Sequence, residues 1–370
     1  MRLVATLKYI LFLCVFTLIA AEILLRIFNP IPFRVKGDKI MLPRNQKIII
    51  ENKKILSLAP VIYHTKNNMG FRGPEVPANL KDYISIITVG GSTTESYYIS
   101  DSLTWSYRLY EKLQGDFPNV WLNNAGLDGH STYGHKMLLK DHLLSLQPDY
   151  ILFMVGCNDV ERDDLHKMDQ MQGGLSIQKE KNNSFTFLKN HSELASLIEN
   201  IRRSNQARRR NLLHEDLAPR IAAHDTITIS ESEAEAVLKR QGPYLAGFRN
   251  RLDELVAICL EHGIQPILLT QASLFGTGTD PETGGSLENT RLNDGTNGKL
   301  YWQRLELYND VVRELAQSRG LLLIDLARIV PKSSRYFYDT VHFTNEGSAL
   351  VAELVYEQLA NYLKMKLIIN

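Results

Sequence analysis

The chain has 370 residues, 44% hydrophobic and 22% charged, enough to bury a full core in one large domain or two small ones. Its 42 Lys and Arg balance 41 Asp and Glu, so no global field points to nucleic acid, and that class of partner is excluded from the expectation. The three cysteines, Cys14, Cys157 and Cys259, form no metal or disulfide pattern and read as free thiols.

The first element is apolar. From Leu7 to Phe28 only Lys8, Glu22 and Arg26 interrupt the run, and Arg2 stands on its N-terminal flank. About twenty such residues span a bilayer core as a helix, and the positive flank orients that end to the cytoplasm. Residues 1–28 are therefore expected to be a signal anchor, with everything after Asn29 outside the cytoplasmic membrane. A cleaved signal peptide is the alternative. Ile19-Ala20-Ala21 offers small residues, but Leu18 or Ile19 fits the A-x-A pattern poorly and the apolar run continues. A buried helix of a soluble domain fits less well, because Tyr9 to Ala21 has no polar face.

Residues 29–80 are rich in Pro, Lys and Asn without sustained periodicity, as in an extended linker that packs onto a domain in places. A turn cluster occupies Asn67 to Pro74. The main domain is expected over residues 81–365. Strands are predicted at Tyr83 to Val89, Val120 to Asn123, Tyr150 to Val155, Pro266 to Thr270 and Leu321 to Asp325. Helices are predicted at Thr104 to Gln114, Tyr133 to Leu146, Leu245 to His262, Tyr301 to Arg319 and Asn345 to Lys364. Continuous apolar strands alternating with amphipathic helices give an α/β fold whose parallel sheet is covered on both faces. Residues 160–244 and 273–298 interrupt this scheme. The first carries Gly173-Gly174, the basic run Arg208-Arg209-Arg210 and an acidic helical piece at Glu231 to Glu235. Both are read as lids or substrate-binding walls, with solvated surface the competing reading.

Polar clusters follow the strands at the edge where parallel sheets gather their sites. After the first, Gly90-Gly91-Ser92 turns a serine out of the strand, and Thr93-Thr94-Glu95 opens a helix whose amides favour a developing negative charge. The second glycine of G-x-S-x-G is missing, so the lipase nucleophile elbow is not matched. After the second strand, Gly126 to Ser131 includes Gly129, whose backbone N–H can approach a substrate oxygen closely. After the third, Asn158 offers a neutral amide donor beside Cys157, and Asp159 braces the loop. Beyond the fifth lie Asp339 and His342, three apart before a helix, with the carboxylate placed to orient the imidazole. Metal ligation by His342 with His130, His135 and His142 competes, but no H-E-x-x-H pattern supports it, and neither metal nor cofactor is expected. Tyr97, Tyr98 and Trp105 read as core, with a sugar-binding cleft as the alternative.

Taken together, Ser92 in Gly-Gly-Ser-Thr-Thr, Gly129 in Asn-Ala-Gly-Leu-Asp-Gly, Asn158 in Gly-Cys-Asn-Asp and His342 in Asp-Thr-Val-His resemble, in order, the four blocks of the SGNH or GDSL-type serine hydrolases. The resemblance spans about residues 81–365 and implies the family's three-layer α/β/α, flavodoxin-like fold. It implies Ser92 as nucleophile, His342 as general base, Asp339 as its orienting carboxylate, and an oxyanion hole from the N–H groups of Ser92 and Gly129 with the Asn158 side chain. Gly-Gly-Ser-Thr in place of the family's Gly-Asp-Ser-Leu, and Cys157 beside Asn158, are departures that remove no reacting group. Three functions then stand open. The first is a membrane-anchored esterase removing acyl groups from carbohydrate or other extracytoplasmic esters, the second an O-acyltransferase for an exported polysaccharide, and the third a carbohydrate-binding protein on an inactive scaffold. Nothing in the sequence bears on oligomeric state.

Overall fold

Seven continuous residues, Ile84–Gly90 (β3), run through the middle of the sheet with alternate side chains entering opposite cores. Ile86 faces one core, Ile87 and Val89 the other, all without solvent exposure. This double burial is why the strand reads as an unbroken apolar run. The computed structural model describes residues 2–28, 35–36, 39–162, 191–198, 201 and 214–369. Gly173-Gly174 and Arg208-Arg209-Arg210 lie outside them.

Around β3 the chain builds β4 (Val120–Asn124), β5 (Tyr150–Met154), β6 (Gln265–Leu269) and β7 (Leu323–Ile324), all parallel, in the spatial order β4-β3-β5-β6-β7. The predicted α/β fold with a five-stranded parallel sheet is the observed one. The last strand is shorter than expected, as suits an edge with one neighbour. The order of strand addition switches sides between β3 and β5, so a crevice opens past their carboxyl ends. Ser92 leaves one of those ends and Asn158 the other.

Helices α3 (Trp105–Asp116) and α10 (Asn345–Ile369) cover one face through Trp105, Leu109, Leu113, Val355 and Leu359. The other face is covered by α4 (Thr132–Leu138, continued through a π-turn at Leu139–Leu143), α7 (Gly242–Glu261) and α8 (Gly298–Arg319). Leu138, Phe248, Leu252, Tyr308 and Val312 supply that core. Within the first insertion, Ser230 and Glu233 form a reciprocal capping box that starts α6 (Glu231–Lys239).

The helix α1 (Arg2–Ile27) has 24 residues, Val4–Ile27, long and apolar enough to cross a membrane, and its large side chains, Leu11, Phe12 and Phe16 among them, are exposed. Near its end Glu22 accepts hydrogen bonds from Ser192 Oγ and the amides of Glu193 and Leu194, so part of the insertion is held at the foot of this helix.

Residues 46–66, expected as linker, form a hairpin of β1 (Gln46–Glu51) and β2 (Val61–Lys66). Beyond it Arg72 pairs backbone to backbone with Asn124 at the edge of β4. The Arg72 guanidinium is buried and donates to the carbonyls of Glu95 (2.6 Å), Ser96 (2.8 Å) and Ile99 (2.7 Å) and to Asp101 (2.8 Å). Deleting it would leave three buried carbonyls unsatisfied and take the cation from the partly exposed Asp101, and each buried acceptor left unpaired typically costs about 1–3 kcal/mol. Arg72→Met is therefore expected to lower the melting temperature of the full chain in detergent sharply. Arg72→Lys, which cannot reproduce the fork, should recover only part of the loss.

Candidate active site

Ser92 opens α2 (Ser92–Glu95), a single helical turn packed against the carboxyl end of β3. The turn is locked from several sides. Thr93 Oγ1 donates to Gln271 Oε1 (2.9 Å), Trp105 Nε1 to the Thr93 carbonyl (3.1 Å), and Asn124 Nδ2 to the Thr94 carbonyl (2.6 Å). Trp105 is thus a fully buried strut of the nucleophile turn and lines no cleft. Gly91 has an ordinary negative φ of −82°, so its glycine serves close approach and not a left-handed turn. A Cβ there would lie 2.2 Å from Asn158 Nδ2.

The loop before α10 delivers the histidine. His342 Nε2 stands 2.6 Å from Ser92 Oγ, and its Nδ1 lies 2.8 and 2.7 Å from the two Asp339 oxygens. With Nδ1–H donated to the carboxylate, Nε2 is left as the acceptor of the serine proton. Asp339 Oδ1 also accepts the amides of Val341 (3.1 Å) and His342 (2.9 Å), so one carboxylate folds the turn and orients the ring. Burial works to raise the Asp339 pKa, but the adjoining His342, with His214 behind it, outweighs that and holds it below the usual carboxylate value.

Asn158 Nδ2 donates to the His130 carbonyl (2.9 Å), leaving a second N–H beside Gly91. Gly129 takes φ of +74°, a backbone angle glycine adopts without strain. Asp159, fully buried, accepts from Thr132 N (3.1 Å), Thr132 Oγ1 (2.6 Å) and Arg251 Nη2 (3.2 Å), and so braces the Asn158 loop against α4 and α7. Burial, with Asp159 nearby, pushes the Cys157 thiol up to about 12, which leaves it protonated and unreactive. The structure therefore brings Ser92, Asp339, His342, Gly129 and Asn158 to one crevice. His142 lies apart from them, its Nε2 against the Ile40 carbonyl (3.1 Å).

Two contributors were not foreseen from sequence. Glu95 is buried, pairs with Lys66 (3.1 Å) and accepts the Asp128 amide (2.5 Å), tying the loop of Gly129 to the nucleophile turn. His214, from within the first insertion, lies with its ring centroid 4.2 Å from that of His342. No local motif marks either residue, because their partners are distant in sequence. His214, Asp339 and His342 present donor atoms within 4.8 Å of one another, a spacing that a metal ion could also use. Here His342 Nδ1 is engaged with Asp339, and His214 Nδ1 with Tyr338 Oη (2.7 Å).

The arrangement can deprotonate a hydroxyl and receive a developing oxyanion. Gly91→Ala tests it with the reacting groups intact. The new methyl must displace the Asn158 amide, so kcat for ester hydrolysis is expected to fall about 10²–10³-fold, the usual cost of one oxyanion donor, while serine and histidine remain in place. Steady-state kinetics beside a melting curve would check this.

Comparison with known proteins adds a family. The model of the GDSL-like lipase/acylhydrolase family matches residues 88–350. No curated protein matches the chain significantly in sequence. Among solved structures, the acetyl xylan esterase AlAXEase is 16% identical, with 74% of this chain and 98% of that one covered and a TM-score of 0.42. A putative lipolytic protein of the G-D-S-L family from Desulfitobacterium hafniense is 11% identical, with 74% and 98% covered and a TM-score of 0.40. The acetylxylan esterase Axe2 from Geobacillus stearothermophilus is 14% identical, with 74% and 92% covered and a TM-score of 0.41. With its family match running from within β3 into α10, across more than half of the sequence, the chain belongs to the GDSL-like lipase/acylhydrolase family of carboxylic ester hydrolases.

Proposed function

We propose that this ester hydrolase works outside the cytoplasmic membrane, held there by α1, and removes acyl groups, acetyl foremost, from carbohydrate esters through an acyl-Ser92 intermediate. The observation that carries the chemistry is the relay from Ser92 Oγ to His342 Nε2 at 2.6 Å, with Asp339 on the other ring nitrogen at 2.7 Å. In the first step Ser92 Oγ attacks the ester carbonyl as His342 takes its proton. The oxyanion is received by the N–H groups of Ser92 and Gly129 and by Asn158 Nδ2, and the protonated histidine then gives its proton to the departing alcohol. Water repeats the sequence on the acyl-enzyme and releases the acid. Asp339, kept ionised, stabilises the imidazolium in both halves.

The reading of location rests on α1, whose apolar surface is exposed along its length and whose N-terminal flank carries Arg2. The reading of domains follows: residues 1–28 as anchor, 29–80 as an arm packed on the hydrolase domain through the hairpin and Arg72, and 81–365 as that domain with its two insertions. The carbohydrate reading rests on the extracytoplasmic position and on the partly exposed tyrosines beside the site, Tyr97 and Tyr98, of which Tyr98 packs against His214 at 5.0 Å between ring centroids.

The test uses the full chain in detergent with an activated acetyl ester and a fluorophosphonate probe. Ser92→Ala is expected to abolish labelling, and Ser92→Ala and His342→Ala each to reduce kcat by at least about 10⁴-fold. Persistent labelling of Ser92→Ala would sink the nucleophile assignment. Adding an unacylated polysaccharide reads the acceptor. Free acetate as the dominant product supports hydrolysis, whereas acetylated sugar in its place marks a transferase built on the same residues. Protease added to cells stripped of their outer layers, with the cytoplasmic membrane left intact, should cleave the domain beyond α1.

A further inference from the structure

His214 stands at the crevice with its side chain 12% exposed, and the steps above assign it no task. It reaches the site from an insertion, yet it touches both halves of the machinery. Its ring centroid lies 4.2 Å from that of His342 at an interplanar angle of 47°, its Nδ1 is 2.7 Å from Tyr338 Oη, and its Nε2 is 4.0 Å from Asp128 Oδ2. Asp128 immediately precedes Gly129, whose N–H we place in the oxyanion hole, and the Asp128 amide is already fixed by Glu95. The segment carrying His214 is itself anchored. Leu217 N donates to the Tyr338 carbonyl (2.8 Å), and Asp216 Oδ2 accepts the Ser57 amide (3.0 Å).

We propose that His214 is a positioning residue of the acyl-transfer centre, a cation wedged between His342 and the Asp128–Gly129 turn that holds the oxyanion loop and sets the acid edge of activity. The inference rests on the reading of Ser92 as nucleophile and His342 as its base. Both ring nitrogens of His214 face protein groups, so it is not a second base for the acyl acceptor. Its surroundings favour the charged form. Asp128 faces it from the loop after β4, Asp339 from the turn before α10 with Nδ1–Oδ2 at 3.9 Å, and Glu95 acts from α2, itself paired with Lys66 of β2. On its own segment, Glu215 and Asp216 turn to Arg220 and the Ser57 amide. Tyr338, whose pKa burial pushes well above its ordinary value, remains a neutral hydroxyl able to accept from the imidazolium, and the Tyr98 ring closes the remaining side. Burial opposes the charge on His214, but Asp128, Asp339 and Glu95 outweigh it and raise its pKa.

The sign of the effect follows. A cation against His342 disfavours its protonated form, so His342 stays available as a base to lower pH. Without that cation His342 holds its proton to higher pH, and the acid limb of kcat/KM moves up. The experiment compares pH profiles of kcat/KM for the wild type and His214→Gln as full chains in detergent on the activated acetyl ester, with fluorophosphonate labelling and Ser92→Ala alongside. The expected result is an acid limb moved upward by roughly half to one pH unit, with kcat down about tenfold and KM changed less than about twofold. A residue that only packed would lower kcat and leave the limb in place. An acid limb that coincides with that of the wild type, or moves down, overturns the proposal. Where His214→Gln fails to fold, Tyr338→Phe decides. It removes only the hydroxyl partner and must move the limb in the same direction by less, and an unmoved limb overturns the proposal. Labelling that persists in Ser92→Ala removes the nucleophile assignment, and this inference falls with it. Labelling lost in Ser92→Ala together with an unmoved limb in His214→Gln removes the role of His214 alone.

Discussion

The carboxylate of Glu95 joins three stretches of chain at the mouth of the sheet. It sits on the turn that begins with Ser92, one oxygen pairs with Lys66 of the N-terminal hairpin, and the other receives the amide of Asp128 beside Gly129. Lys66 and Glu95 are both almost wholly buried, so neither charge is tolerable without the other. Arg72 reinforces the junction from below by binding the carbonyls of Glu95 and Ser96. The nucleophile turn, the arm and the oxyanion loop are therefore placed by one charge-compensated knot. Such a pair is weak evidence for net stability, because desolvation consumes most of its attraction, but it is specific about which segments must meet.

A second economy lies in Asp339. Two backbone amides and a ring nitrogen converge on its carboxylate, so the turn cannot form without setting the histidine, and the histidine cannot swing without breaking the turn. The nearby glycine pair shows the complementary constraint. Gly90 and Gly91 lack side chains because Thr94 and Met154 crowd the first, and Asn158 the second. The sequence was read there as a sharp turn. In the structure the cause at Gly91 is space, since its φ is one that any residue adopts.

What was legible in the sequence was what is local. Each strand could be read because burial on both faces makes it continuously apolar, and each polar cluster because it directly follows a strand, as with Ser92 and Asn158. The arm was not legible. Its strands β1 and β2 are short, and β2 alternates exposed and buried positions over only six residues, with His64 and Lys66 at inward ones. A lysine facing a core contradicts every periodicity rule until its partner Glu95 is known. His214 escaped for the same reason, since the sequence around it carries no strand or helix periodicity to show that this part of the insertion returns to the crevice.

That return makes electrostatic sense. Glu95, Asp128 and Asp339 bring three carboxylates to the neighbourhood of Ser92, and Lys66 pairs with the first of them at 3.1 Å. Attack on an ester places a further negative charge on the carbonyl oxygen beside Gly129. An uncompensated acidic crevice would oppose that charge in a setting where burial strengthens every interaction. Asp339 is balanced once His342 becomes an imidazolium, which happens in the same step, and the neutral amide of Asn158 adds donor strength without adding charge. Asp128, beside Gly129, holds its carboxylate 4.0 Å from His214 Nε2. A cationic His214 sets a positive charge against that carboxylate while also bearing on the His342 ring. The insertion, on this argument, belongs to the charge balance of the site as much as to its walls.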